Sequence, residues 1–327
     1  MQKILGSDVK TFNLHTYHGK LASTPQFDMG MTANLCKKLQ DMGYTINLID
    51  KSNTPNLTYT NGNDSAVVPH GSQVIIENAE TGRFFVSDFG DVCTDMFRFI
   101  PFKNLAGIIC GQYNKHRVDV EWPKEYPEKR SLFRAGYYPE KMWQFGDLNH
   151  DLIQEYRNRT QLKKELYFRG TVYDGRQCVH IMAQNHPNEF HYMGGRLPFE
   201  QFVTELASYK MVLSLGMNIG GDICFRDVEL LGLGIPLIRP RLRVEQHDPL
   251  IPDYHYIAVE TELDPIYLVP VSHSQTADDI IRRYREIIDD NEVLEYVASN
   301  GKEWYNRNIK YPNIVDNLIR LIDVENL

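Results

Sequence analysis

The chemistry this 327-residue chain could perform is concentrated in two segments of its second half. In the first, Gly220-Gly221-Asp222 leads into Ile223-Cys224-Phe225-Arg226-Asp227-Val228-Glu229-Leu230-Leu231, and Gly234-Ile235-Pro236 follows. The apolar spacing predicts a helix over 223–233, entered from a glycine-bearing loop. A helix N-terminus offers unpaired N–H groups and the positive end of the peptide dipoles, so it can seat a phosphate. Arg226 and Glu229 are three residues apart and share one helix face. An arginine there can neutralise a diphosphate, and a glutamate one turn on can accept hydrogen bonds from two ribose hydroxyls. The spacing fits a structural Arg–Glu pair equally well, so this segment alone leaves both readings open.

The second segment is Phe168-Arg169-Gly170-Thr171-Val172-Tyr173-Asp174-Gly175-Arg176. It follows a predicted strand, Leu166-Tyr167-Phe168, and sets two glycines, a hydroxyl and two arginines at that strand's C-terminal end. Open α/β sheets bind ligands at that edge. Guanidinium forks and backbone N–H groups converging there suit a pyrophosphate. The glycines do not form GxGxxG, so no dinucleotide fingerprint is present. A solvated turn with incidental arginines is the competing reading.

The elements that must position these segments can be read from periodicity. Residues 10–15 predict a strand, and a polar loop containing His15 and His18 follows. A helix begins near Asp28, with Met31, Leu35, Leu39 and Met42 on one face and Gly43 as its C-terminal cap. Residues 44–50 then predict a strand. Residues 51–72 read as a loop or short irregular strands. A hairpin joins Val74–Glu77 to Arg83–Asp88 through a turn at Asn78–Gly82. Leu105–Cys110 predicts a buried strand, residues 115–147 read as irregular, and the polar helical stretch 148–164 reads as a connection between domains. In the second half, strands at 166–168, 190–193, 211–215, 236–238 and 256–259 alternate with helices near 176–185, 198–208 and 223–233. Helices near 275–288 and 291–303 come next. This alternation predicts a parallel sheet with helices on both faces. An amphipathic helix with Ile314, Val315, Leu318, Leu321 and Ile322 closes the chain. The expected division is 1–150, 151–310, and a final helix at 311–327 that could cross back to the first domain.

Composition narrows the function classes. With 42% hydrophobic and 24% charged residues the chain is an ordinary globular one. Its net charge of −8 argues against a dedicated nucleic-acid binder, although a global sum can hide a local basic patch. The five cysteines are scattered and form no CxxC, as expected for free thiols in a reducing compartment. The start Met1-Gln2-Lys3-Ile4-Leu5 lacks a signal-peptide core. No apolar run approaches the roughly 20 residues of a membrane span. The expectation is a cytoplasmic protein without integral membrane contact. Asp289-Asp290 reads as a solvated face, and no metal triad is evident.

The helix glutamate before a small-residue turn, Glu229 with Gly234-Ile235-Pro236, resembles the C-terminal domain of the two-Rossmann (GT-B) glycosyltransferases. Arg226-x-x-Glu229 with Arg169-Gly170 and Arg176 is similar to two groups. In the phage DNA β-glucosyltransferases, a Phe-Arg-Ser-Gly turn and an Arg-x-x-Glu helix grip UDP. The CAP10-like glycosyltransferases carry a Phe/Trp-Arg-Gly turn, and Tyr254-His255-Tyr256-Ile257-Ala258-Val259 resembles the tail of their pattern. The likeness covers roughly residues 165–325, and Leu215–Gly221 matches neither group.

This resemblance implies an α/β fold of two Rossmann-like domains facing across a cleft, an N-terminal acceptor domain and a C-terminal domain for a nucleotide-sugar. It implies that Arg169, Arg176 and Arg226, with Gly170 and Thr171, hold the diphosphate of a donor, expected to be a UDP-sugar. Glu229 would hold the ribose, Asp222 would lie near the sugar or phosphates, and backbone groups around Gly194 would hold the base. It implies metal-independent transfer of a hexosyl or pentosyl group with no cofactor beyond that co-substrate. Attack by an acceptor hydroxyl on the anomeric carbon needs a base from the first domain. Asp88 at a strand end ranks first, then Asp91, then His15, although turn aspartates commonly cap backbone N–H groups. The acidic balance ranks a glycan or protein acceptor above hydroxymethylated DNA. The missing signal peptide points to a viral or bacterial setting. An epimerase or a non-catalytic nucleotide-sugar binder on the same scaffold are the alternatives, and the oligomeric state is not legible.

Overall fold

A computed structural model describes residues 10–17, 35–50, 58–68, 73–88, 93–110, 113–135, 150–216, 223–245, 247–310, 313–322 and 327. The chain is α/β and divides into two compact units. The first gathers Met1–Tyr113, Val118–Trp143 and Tyr311–Leu327; the second gathers Asn114–Arg117 and Gln144–Lys310.

The first unit is built on a six-stranded mixed sheet of order β2-β1-β5-β6-β7-β8. Its strands are β1 Thr11–Tyr17, β2 Thr45–Asp50, β5 Gln73–Asn78, β6 Phe84–Asp88, β7 Leu105–Cys110 and β8 Phe133–Ala135. β5 runs antiparallel to both its neighbours, and the other pairings are parallel. Residues 35–41 form helix α1, after which Gly43 takes a positive φ of 95°. The β5–β6 turn is held by Asn78, whose Oδ1 accepts from the N–H groups of Glu80 and Thr81 at 2.9 and 3.0 Å. The segment 51–72 contributes a hairpin, β3 Thr58–Asn61 with β4 Asp64–Val67. Tyr59 from that hairpin stacks among Phe84, Phe99 and Phe102 in an aromatic core. Within the expected irregular stretch 115–147, the described residues 115–135 hold helix α2 (Lys115–Glu121), a 3-10 turn at Pro127–Leu132 and β8. The last helix, α9 (Asn313–Ile322), belongs to this unit and buries Val315, Leu318, Ile319, Leu321 and Ile322. Asp316 on it pairs with Lys38 of α1 at 2.7 Å.

The second unit is a five-stranded sheet, all parallel. Its strands are β9 Leu166–Arg169, β10 Phe190–Met193, β11 Val212–Leu213, β12 Leu237–Pro240 and β13 Ile257–Val259. β9, β12 and β13 are buried at every residue, as strands covered by helices on both faces must be. The order is β10-β9-β11-β12-β13, or 2-1-3-4-5 in chain sequence, a doubly wound Rossmann-like arrangement. Helices α3 His150–Arg159, α4 Cys178–Asn185, α5 Phe199–Ala207, α6 Phe225–Leu233, α7 His273–Ile287 and α8 Asn291–Asn308 clothe it.

Helix α3 is a working part of this unit and not a linker. Its Arg157 donates to the carbonyls of Ala207 and Tyr209, and its Gln154 amide donates to Leu233 at the end of α6. α6 and α8 cross closely: a Cβ on Gly301 would lie 2.6 Å from Leu231 Cδ2 and 2.7 Å from the His255 carbonyl oxygen, so only glycine fits there. α6 ends at Gly234 in the left-handed region, φ 64°, as a C-cap glycine does. No helix among the described residues is long and apolar enough to cross a membrane.

Candidate functional site

In a 2-1-3-4-5 sheet the chain leaves the first strand toward one edge and re-enters beside it from the other. The loops after strands one and three therefore diverge and open a crevice at their C-terminal ends. Here those strands are β9 and β11, and the crevice lies between the Arg169-Gly170-Thr171 end and the Ser214-Leu215-Gly216 end.

Arg176 bridges the two loops. Its Nε donates to the Gly216 carbonyl at 2.9 Å and its Nη1 to the Thr171 carbonyl at 3.0 Å, while the guanidinium lies over Tyr173. Thr171 and Gly194 are solvent-exposed.

The start of α6 supplies the next layer. Cys224 is its N-cap; its N–H donates to Asp227 Oδ2 at 2.7 Å, and its Sγ lies 3.3 Å from Ser214 Oγ at the end of β11. Asp227 also pairs with Arg239 on β12, and both side chains are 0% exposed. This buried pair pins the first turn of α6 to the sheet, which fixes where the next two functional residues project.

Those residues are Arg226 and Glu229. Their side chains are 17% and 14% exposed, and Arg226 Nε lies 3.2 Å from Glu229 Oε2. The Arg226 guanidinium sits 4.3 Å over the Phe202 ring, and its Nη2 donates to the backbone carbonyl of Arg169 at 3.0 Å. Arg226 Nη1 and Glu229 Oε2 are buried without a hydrogen-bond partner. Burial pushes the Glu229 carboxyl up to about 7, against the pull of Arg226. Burial likewise lowers the Arg226 pKa; Glu229 opposes this, and the charge of Arg176 adds to it. Two guanidinium groups thus repel one another around an unfilled donor position, an arrangement that a bound anion would relieve.

Arg169 is placed differently from its expected role. It is 7% exposed, and its guanidinium grips Glu205 on α5 with Nε at 2.7 Å and Nη2 at 3.0 Å. Nε also reaches the Tyr167 hydroxyl, and Nη1 holds the Gly194 carbonyl at 2.9 Å. It locks the β10–α5 loop and presents its own carbonyl to Arg226, and these bonds leave its charge matched by a carboxylate. Glu205, Phe202, Ser214, Asp227 and Arg239 were missed in the sequence. Phe202 and Glu205 are three residues apart on one helix, and that spacing was the available signal.

The base candidates fare unevenly. Asp91 and Asp222 lie outside the described residues, as do His18 and Asp28. Asp88 ends β6 opposite Gln73 and Cys110, and its side chain is likewise outside the description. His15 is not in a loop: β1 continues through it to Tyr17, placing it between Ile49 and Ile75 in the sheet. It is 7% exposed, its Nε2 lies 3.2 Å from Glu77 Oε2, and its ring meets Tyr59 edge-on. Burial alone would raise the Glu77 pKa, but hydrogen bonds with His15, Tyr59 and Asn13 and the His15 charge bring it below the usual range. Among the described residues, no three His, Cys, Asp or Glu side chains converge as a metal ion requires.

No protein-family model matches the chain, and no curated protein matches it. Among solved structures it is similar to HepE of Anabaena in complex with UDP and glucose: 11% identity over 70% of this chain and 65% of that one, TM-score 0.44. The chain therefore spans less than two thirds of that protein. It is also similar to sucrose-phosphate synthase from Thermosynechococcus elongatus, at 11% identity over 95% of this chain and 73% of that one, TM-score 0.47. A third is AviGT4, a glycosyltransferase involved in avilamycin A biosynthesis, at 13% identity over 97% of both chains, TM-score 0.38.

Proposed function

We propose that this protein is a glycosyltransferase whose second unit holds a nucleotide-sugar at the C-terminal ends of β9 and β11. The observation that carries the reading is the meeting of Arg176 and Arg226 at the sheet's switch point, with Arg226 Nη1 buried and unpaired beside the buried carboxyl of Glu229. In this reading Arg226 and Arg176, aided by the Gly170-Thr171 backbone and the α6 dipole, hold the diphosphate. Glu229 accepts from the ribose hydroxyls, and the exposed Gly194 loop faces the base. Arg169 is a positioning residue. An acceptor hydroxyl, on a glycan or protein, attacks the anomeric carbon; the nucleoside diphosphate leaves, and the fixed guanidinium groups stabilise the charge growing on its oxygens. That charge is met by arginines, so chelator treatment should leave turnover unchanged. Asp88 remains the first choice of base, with Asp91 and then His15 behind it.

Isothermal titration of the protein against UDP, GDP and their sugars tests the donor assignment. At least one should bind, and Glu229→Ala should weaken it by about 1–3 kcal/mol through loss of the ribose hydrogen bonds. Silence with every nucleotide at millimolar concentration would remove the reading.

The raised pKa of Glu229 makes a second expectation. Its folded value of about 7 lies above its ordinary 4.5. The carboxyl therefore stabilises the fold fully below about pH 4.5, and that contribution is lost as pH rises through about 7. Glu229→Gln should raise the melting temperature near pH 8 and leave it unchanged near pH 4.5. The ionised form is the better acceptor, so donor affinity should strengthen from about pH 6 to pH 8 in the native protein and stay flat in Glu229→Gln. Parallel melts and titrations across that range check both; identical profiles for the two proteins would show that Glu229 titrates elsewhere.

A further inference from the structure

The second unit contains a cavity on the opposite edge of its sheet from the crevice described above. Lys210, leading into β11, and Pro236, leading into β12, border it, and its volume is about 340 Å³. Its walls come from α3, the C-terminal end of α6 at Gly234, and the first three turns of α8, with Leu162 and Leu294 as apolar lining. Three cations line it: Arg157, Lys210 and Lys302.

None of these cations forms an ion pair with a carboxylate among the described residues. Arg169, Arg239, Arg285 and Arg307 all do. Lys210 Nζ donates to the neutral Asn291 Oδ1 at 2.9 Å, and the exposed Asp289 carboxylate, itself paired with Lys164, is near enough to feel its charge. Arg157 Nη1 is anchored on the carbonyls of Ala207 and Tyr209 at 3.1 and 2.8 Å, and no acid offsets its burial, which brings its pKa down to about 10. Glu295, the acid among the lining residues, is exposed and forms no ion pair with the three cations among the described residues. The carbonyls at the ends of α5 and α6 would repel an anion, but Arg157 and Gln154 already cap them. Three cations without a direct ion pair around a water-accessible space, against one lining acid, are favourable for a ligand that brings negative charge.

We propose that this cavity is a second binding site for a small phosphorylated metabolite, of sugar-phosphate size. The phosphate meets Lys210, Lys302 and the remaining N–H groups of Arg157, and the organic body lies over Leu162 and Leu294. The assignment stands on this cavity alone and does not require the donor site to be correct.

Titration of the full chain with glucose 6-phosphate, with glucose as the uncharged control, tests it. The phosphate ester should bind and glucose should not. Lys210→Ala and Lys302→Ala should each weaken binding about tenfold, the value of one lost charge-assisted contact. Both side chains lie at the surface of the cavity, and circular dichroism should show both variants folded. Arg226→Ala should leave glucose 6-phosphate binding unchanged. Absence of binding at about 10 mM, equal affinity in the lysine variants, or loss of binding in Arg226→Ala would each overturn the proposal.

Discussion

Arg226→Ala is expected to abolish most activity, lowering the rate of nucleoside diphosphate release from the donor by about 10²-fold or more. Removing one preorganised charge-stabilising group from an active site has an effect of this size. The loss should appear in both kcat and KM, because in the proposed donor site the guanidinium would meet the leaving group in the ground state and more strongly as its charge grows. Arg226→Lys separates charge from shape. A lysine keeps the cation but lacks the fork that reaches the Arg169 carbonyl and the planar face over Phe202. It should recover donor affinity in part and leave kcat low. If Arg226→Ala retained kcat/KM within a factor of two, the guanidinium would be a partner of Glu229 and nothing more.

The largest expected stability effect comes from the next residue along α6, whose side chain is fully buried. Asp227→Ala strips the acceptor from the Cys224 N–H and leaves Arg239 without its carboxylate in a fully buried site. Breaking one partner of such a pair costs about 3–5 kcal/mol, and the lost cap adds about 1 kcal/mol. Domain stabilities are about 5–15 kcal/mol, so the urea midpoint of the second unit should fall steeply. The double change Asp227→Leu with Arg239→Met should recover much of the loss, because two apolar side chains carry no desolvation cost. A midpoint within error of the native protein would show that the pair is not what holds the start of α6.

The second unit was more legible in the sequence than the first, and the reason is physical. A parallel strand covered on both faces is a continuous apolar run, so Leu166–Phe168 and Met211–Leu215 stand out between polar turns. β8 has three residues, one of them the exposed Arg134, and its pairing with β7 depends on partners over twenty residues away. Continuation of β1 through His15 was hidden in a polar sequence that only the flanking strands make regular. In the site, Arg226 and Glu229 were readable because three-residue spacing on a helix is a local rule. The commitment of Arg169 to Glu205, thirty-six residues on, was not, nor was the pairing of Asp227 with Arg239. From sequence, an arginine at a strand end looks the same whether it awaits a ligand or is already satisfied by the fold.

The membership of α9 in the first unit sets an order of events during synthesis. Once residue 310 has left the ribosome, every element of the second unit is present and that unit can close on itself. The first unit, although most of it is translated earlier, still lacks the helix that covers part of its core with Val315, Leu318 and Ile322. Its apolar surface is therefore exposed for the whole time the second unit is being made, and the unit begun first is completed last.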